Sequence, residues 1–211
     1  ENPPDDFDEM SAEVTPYLAK HDLARAKVVK QIDLVEHGNW KLTMENNREC
    51  FHCGGHPELL NSLFHFLGDI DEASLSPEEL KTYRRYEESQ RLVLESWNRA
   101  GVPWQRIEAL YGRPTGFRTE RLVLEGAGES MTVDTKVACT KLLGSLTERR
   151  LGTLHLHTQP NAWFHFLSGH ILTFAVFPID PVRTMVRTTW LVNSDAEEGN
   201  DYDVEKLTEV W

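Results

Sequence analysis

The sequence predicts an α+β domain, one antiparallel sheet with helices packed on a face, on three observations. A strand rich in β-branched residues comes early, a block dominated by helical signals follows, and from about Phe117 the chain reads as short strands separated by turns. Neither an internal repeat nor a low-complexity segment interrupts that order.

In chain order, the first element is a short helical piece near Asp8–Leu18. AKVVKQIDLVE, Ala26 to Glu36, reads as a strand, and HGNW turns the chain. WKLTMENNRECFH has the composition of a helix, with His56-Pro57 marking a break before the apolar ELLNSLFHF. After the loop DIDEASLS, Ser76, Pro77 and Glu79 form a helix-start box. The helix behind it should run to about Ala100 and stop before Gly101, burying Leu80, Tyr83, Val93 and Trp97. WQRIEALYG predicts a shorter helix. FRTERLVLE, GTLHLHT, AWFHFLS, ILTFAVFPI and TMVRTTWLV are then the strands of an antiparallel meander.

The bulk composition excludes several classes. With 22 basic against 34 acidic residues the formal charge is −12, and there is no Lys/Arg-rich run, so nucleic acid is not the expected partner. A cationic ligand or a basic redox partner suits this charge better. Three cysteines, Cys50, Cys53 and Cys139, make no disulfide scaffold and fit a reducing, cytoplasmic setting. No apolar run approaches the roughly 20 residues that a membrane-spanning helix needs. ENPPDDFDEM has neither an initiator Met nor a signal-peptide pattern and reads as a linker, while DYDVEKLTEVW stops inside a helical pattern, so both ends are expected to continue in a longer protein.

Ligand chemistry concentrates in ECFHCGGH, Glu49 to His56. Three readings compete for it. A Rieske cluster uses Cys-x-His and Cys-x-x-His pairs on separate loops; here the pairs abut, so one segment cannot wrap both irons. A structural zinc site needs two separated ligand pairs, and no second pair follows at finger spacing. Glu49, His52 and His56, at i, i+3 and i+7, share one helical face, and the two histidines with one carboxylate from elsewhere would make the facial triad of an Fe(II) oxygenase. Gly54 and Gly55 would cost a regular helix about 1 kcal/mol each, a cost that a backbone bent towards a metal can justify. A pair of histidines on an amphipathic helix without any metal is the plain alternative.

GNWKLTMENNRECFHCGGHPEL, Gly38 to Leu60, resembles the catalytic-domain motif of Rieske-type non-haem iron oxygenase α subunits, with Asn-Trp-Lys, then Glu-Asn, then an acid before two histidines. The ENNREC(Y/F)HC form looks most like the branch acting on glycine betaine, proline betaine and carnitine, and HTQPNAWFHFLSGHILTFAVFP and RTTWLVNSDAEEGNDYDVEKLTEVW are similar to later parts of it. The resemblance implies a helix-grip (START-like) domain over residues 1–211, a curved antiparallel sheet wrapping a C-terminal helix. It implies that the N-terminal Rieske domain and the end of that helix lie outside this chain.

By the same resemblance, His52 and His56 are ligands of a mononuclear Fe(II), and the third ligand is an Asp expected beyond Trp211; Asp195, Asp201 and Asp203 align with a different acidic stretch. Glu49 matches the acid that links the iron site to the 2Fe-2S Rieske cluster of a neighbouring subunit. Trp40 and Asn46 match positions that serve packing and local hydrogen bonding around the site. The implied activity is O2-dependent hydroxylation and N-demethylation of a small quaternary ammonium compound, with NAD(P)H-derived electrons from a reductase, in a homo-oligomer, a trimer. The carbon hydroxylated on an N-methyl group would leave as formaldehyde.

A quaternary ammonium donates no hydrogen bonds, so aromatic faces should hold it, with Trp163 and Phe51 the first choices and Trp190 a further one. His155, His157 and His165 alternate along strands and either line the cavity or, the plainer reading, are ordinary partly buried histidines. Other readings of the scaffold are a ligand-binding protein without redox chemistry, an aromatic-ring hydroxylating dioxygenase and a zinc-dependent hydrolase.

Overall fold

A computed structural model describes residues 4–48 and 71–211. The strand alternation read from the sequence becomes one seven-stranded sheet, antiparallel throughout, in the order β1-β7-β6-β5-β4-β3-β2. The strands are β1 (Ala26–Glu36), β2 (Ile107–Ala109), β3 (Phe117–Leu122), β4 (Thr153–Thr158), β5 (Ala162–Phe166), β6 (His170–Asp180) and β7 (Arg183–Asn193). Strands β2 to β7 form the expected meander, and β1 closes the far edge by pairing with β7. The Asp33–Arg187 pair crosses that last junction, with both guanidinium-to-carboxylate bonds at 2.8 Å.

The helices follow their local signals. Helix α1 spans Phe7–Leu18 and α2 spans Trp40–Asn46, with Asn39 accepting from the Lys41 amide as N-cap. Helix α3, Pro77–Ala100, opens on the predicted box: Ser76 accepts from the Glu79 amide and the Glu79 carboxylate accepts from the Ser76 amide. It ends at Gly101, whose φ of 63° is the left-handed cap that glycine adopts without strain. Val93 and Trp97 are buried as expected, whereas Leu80 and Tyr83 are only half-buried. A last short helix, α4, covers Val204–Thr208.

The helix expected over Trp104–Gly112 is a correction. Ile107–Ala109 is instead β2, paired with Phe117–Thr119 at the sheet edge. An open edge on β3 offers Ile107 and Ala109 pairing and burial that outweigh a weak helical propensity.

Between β3 and β4 the chain forms no strand yet is well buried, at Leu124, Met131, Leu143 and Leu151 among others. Its backbone groups are paired elsewhere: the Thr140 amide donates to Asp201, Leu143 to Ser168 and Ser145 to Lys20. Gly144, at φ 47°, lets this segment cross the chain after α1 so closely that a Cβ would stand 2.4 Å from the Lys20 carbonyl oxygen.

The two faces of the sheet bury different things. On one, Phe117, Leu154, Phe166 and Ile171 pack with Val14 and Tyr17 of α1 and Val93 and Trp97 of α3. An apolar cavity of about 340 Å³ remains between α1 and this face, lined by Met10, Leu18, Phe164 and Leu191 among others. On the other, Trp163, Leu172, Phe174 and Trp190 pack with Met44 of α2 and Leu207 of α4. The start of the expected C-terminal helix therefore sits on the face that α2 also covers.

Candidate functional site

The antiparallel register lays one row of side chains across four strands of the α2-covered face. Arg118 of β3 is opposite His157 of β4, His157 is opposite Trp163 of β5, and Trp163 is opposite Phe174 of β6. One pair along, His155 faces His165, with ring centroids 4.4 Å apart and edge to face. Trp163 stacks on Phe174 at 4.7 Å with an interplanar angle of 14°. Trp211, just past α4, lies over the same patch, 5.1 Å from the His165 ring and 5.4 Å from that of Phe174.

Helix α2 is fastened over this face at its entry. The Asn39 amide nitrogen donates to the Pro181 carbonyl at 3.0 Å, Thr184 Oγ1 donates to the Gly38 carbonyl at 2.9 Å, and Thr43 Oγ1 donates to Glu36 at 2.7 Å. Trp40 is half-buried beside the aromatic cluster, and Asn46 closes the helix. Two residues on, the Arg48 charge is felt at His157.

Burial sets the electrostatics. His157 is held down to about 3, first by burial and then by Arg118, His155 and Arg48; His155 is held to about 4 by burial and Arg118. His165 lies well below the ordinary imidazole range, again by burial and then by His155, His157 and His170, and burial holds His170 at about 4. These rings are neutral at pH 7. Much of their hydrogen-bonding capacity is unspent: both nitrogens of His165 and of His170, His155 Nε2, His157 Nδ1, and the indole nitrogens of Trp163 and Trp190 have no partner among the described residues. Buried polar atoms without partners are costly, and walls of a ligand chamber are where they are expected.

Of the residues singled out from the sequence, Glu49, Phe51, His52 and His56 lie outside the described residues, as do Cys50 and Cys53. Trp163 is on the α2-covered face, as are His155, His157, His165 and Trp190. The acids judged poor ligands are engaged structurally: Asp195 pairs with Arg25 at 2.9 Å, Asp201 accepts from the Glu197 amide, and Asp203 caps α4. Among the described residues, no group of three or more His, Cys, Asp or Glu could hold a metal ion, and no helix is long and apolar enough to cross a membrane. What the described residues offer a metal centre is a buried wall of neutral imidazoles and indoles, which fits one supplied from the segment after α2. Sequence reading missed Arg118, Phe174 and Trp211. The alternation of FRTERL places Arg118 on one face of its strand, but only the register shows what it stands beside.

Residues 23–211 match the family model described as ring hydroxylating alpha subunit (catalytic domain). A glycine betaine monooxygenase oxygenase subunit from Chromohalobacter salexigens is 39% identical over 209 residues, covering 99% of this chain and 44% of that protein. Its counterpart from Pseudomonas aeruginosa is 36% identical over 212 residues, covering 100% of this chain and 46% of that protein. The chain therefore spans less than half the length of these curated relatives. Among solved structures, a quaternary ammonium Rieske monooxygenase aligns over 98% of this chain and 38% of its own, with a TM-score of 0.50 and 12% identity, a likeness of fold.

Proposed function

Because the chain belongs to the ring-hydroxylating α-subunit catalytic-domain family, we propose that it is the mononuclear-iron catalytic domain of a longer Rieske-type oxygenase acting on a small quaternary ammonium compound such as a betaine. The observation that carries this reading is the chamber wall of neutral histidines and stacked aromatics on the face covered by α2, the helix that leads into the His52 and His56 motif. The names of the relatives support the substrate class.

His52 and His56 would hold the iron, with an Asp beyond Trp211 as third ligand. Glu49 would orient a ligand imidazole and bridge to the cluster of a neighbouring subunit in a trimer. Held there, a mononuclear iron supplies activation of dioxygen for C–H hydroxylation. The described residues do the rest. Trp163, backed by Phe174, presents aromatic surface to the methylammonium head. The neutral imidazoles of His155 and His165 add no repulsion against a cation. Burial of the row excludes water from the reacting methyl group. Electrons would come from a reductase drawing on NAD(P)H.

The test uses the full-length protein with its reductase. Glycine betaine should yield formaldehyde and a demethylated amine in an oxygen-dependent reaction, and His52→Ala and His56→Ala should each abolish stoichiometric iron. Undiminished iron in both variants would sink the ligand assignment. Stoichiometric betaine binding with neither iron uptake nor oxygen consumption would favour a ligand-binding role, and turnover of an aromatic ring alone would favour a ring dioxygenase.

A further inference from the structure

The arginines of the sheet are spent in different ways. Arg187 pairs with Asp33, Arg183 with Asp180, and Arg106 with Glu108. Arg121 is fully buried and donates to two backbone carbonyls, Leu151 at 3.0 Å and Pro103 at 3.3 Å. Arg118, three residues earlier and on the opposite face, is half-buried and has no carboxylate partner among the described residues. Its one hydrogen-bond contact among the described residues is a long one, Nη2 to His157 Nε2 at 3.5 Å. A guanidinium carries five N–H donors in a fork matched to a carboxylate, so nearly all of that capacity is free.

No nearby acid makes a short ion pair with it among the described residues. Glu108, opposite Arg118 on β2, feels its charge but gives its hydrogen bond to Arg106. The charge of Glu120, two residues along β3, falls on Arg106 and Tyr86. Arg48 adds a second positive charge at the same end of the row. Two guanidiniums beside a neutral imidazole make a pole that favours an anion and repels a cation. The other end of the row, Trp163 on Phe174 with Trp211 above, is aromatic and suits the methyls of an ammonium group. The two ends are two strands apart, about 10 Å between backbones, less the reach of the arginine side chain. That span is on the scale of a small zwitterion.

We propose that Arg118, with His157 beside it, is the carboxylate anchor of the chamber and makes the enzyme select zwitterionic quaternary ammonium compounds over simple quaternary cations. This rests on the oxygenase reading above and adds to it the residue that reads the anionic end. Arg118 is a binding residue, and the chemistry at the methyl group does not pass through it.

The experiment measures binding of glycine betaine, and separately of tetramethylammonium, to full-length wild-type protein and to Arg118→Gln, with iron content and thermal midpoint as controls. Wild type should prefer the betaine. Arg118→Gln should lose on the order of 10- to 100-fold in betaine affinity, the loss of a charge-assisted pair, while tetramethylammonium affinity and iron stay unchanged. Arg118→Lys should recover part of the loss. Undiminished betaine binding in Arg118→Gln overturns the anchor and leaves the oxygenase reading standing. An equal loss for both ligands shows a packing role and also overturns it. Wild-type protein that binds neither ligand overturns the anchor and the substrate class together.

Discussion

Arg118 and Arg121 sit on one six-residue strand and face opposite ways, and the two faces they serve are built on different principles. The face under α1 and α3 spends its buried arginine on backbone carbonyls and fills its surroundings with Phe117, Leu154, Phe166 and Ile171. The face under α2 leaves an arginine without a carboxylate and several imidazole and indole nitrogens without partners among the described residues. The first surface keeps orphans of its own, Arg121 Nη2 and both His21 nitrogens, but is otherwise apolar and holds the fold. The second gathers more such groups, at an energetic cost that a ligand would offset. Proteins tolerate such groups where something else is to be held there.

Substitutions can break that contrast, and the largest effect should come from the apolar face. Phe166→Ala removes a fully buried ring from the α1/α3 core and should cost about 3–5 kcal/mol in denaturant unfolding. Betaine binding in the surviving folded fraction should be unchanged. A loss below about 1 kcal/mol would mean that this face is not the structural one.

Acid should act mainly on the other face. His157 and His170 titrate near 3 and near 4 when folded against 6.5 in the open chain. Between these values the unfolded chain binds protons that the folded protein refuses. Stability is therefore complete above about pH 6.5 and declines as pH falls towards 4, at about 1.4 kcal/mol per pH unit per histidine. Unfolding curves at pH 7 and pH 5 should differ by about 2 kcal/mol for each such ring. His157→Leu should remove one histidine's share of the slope. His21, buried on the α1/α3 face and near 3, adds its own share, so His21→Leu serves as the control. A slope unaltered in His157→Leu would show that this ring is not held neutral by the fold.

The smallest shift in stability carries a large change in function. His165→Leu deletes two buried nitrogens without partners among the described residues and should leave stability at pH 7 within about 1 kcal/mol of wild type, or raise it. The same change dismantles the His155–His165–Trp211 corner of the chamber and should weaken betaine binding several-fold by titration calorimetry. A strongly destabilised variant with intact binding would reverse the roles of the two faces.

Local signals were legible in the sequence. Strand β1 falls on Ala26–Glu36 as read, and the Ser76/Glu79 box opens α3 as written, because strand alternation and capping are set by neighbours in the chain. The alternation of His155 and His157 on one face of β4 was also legible. What period-2 alternation cannot carry is register, and register puts Arg118 beside His157 and Trp163. Strand β2 was missed for a related reason: Ile107 and Ala109 are strand residues only because β3 offers them an edge. The metal motif is the converse case, argued from sequence and resemblance, with its residues outside those described.

The pairing of β1 with β7 has a consequence for the order of assembly. The Asp33–Arg187 bond spans 154 residues of sequence, whereas the meander from β2 to β7 is built from neighbours joined by short turns and one longer connection. Contacts between distant segments incur their loop-closure entropy before they return any stabilisation, so they form late. During synthesis β1 emerges early and has no edge to join until β7 has followed. Helix α2 is tied to the sheet through β1 and the Thr184–Gly38 bond, so it is seated only when that edge closes.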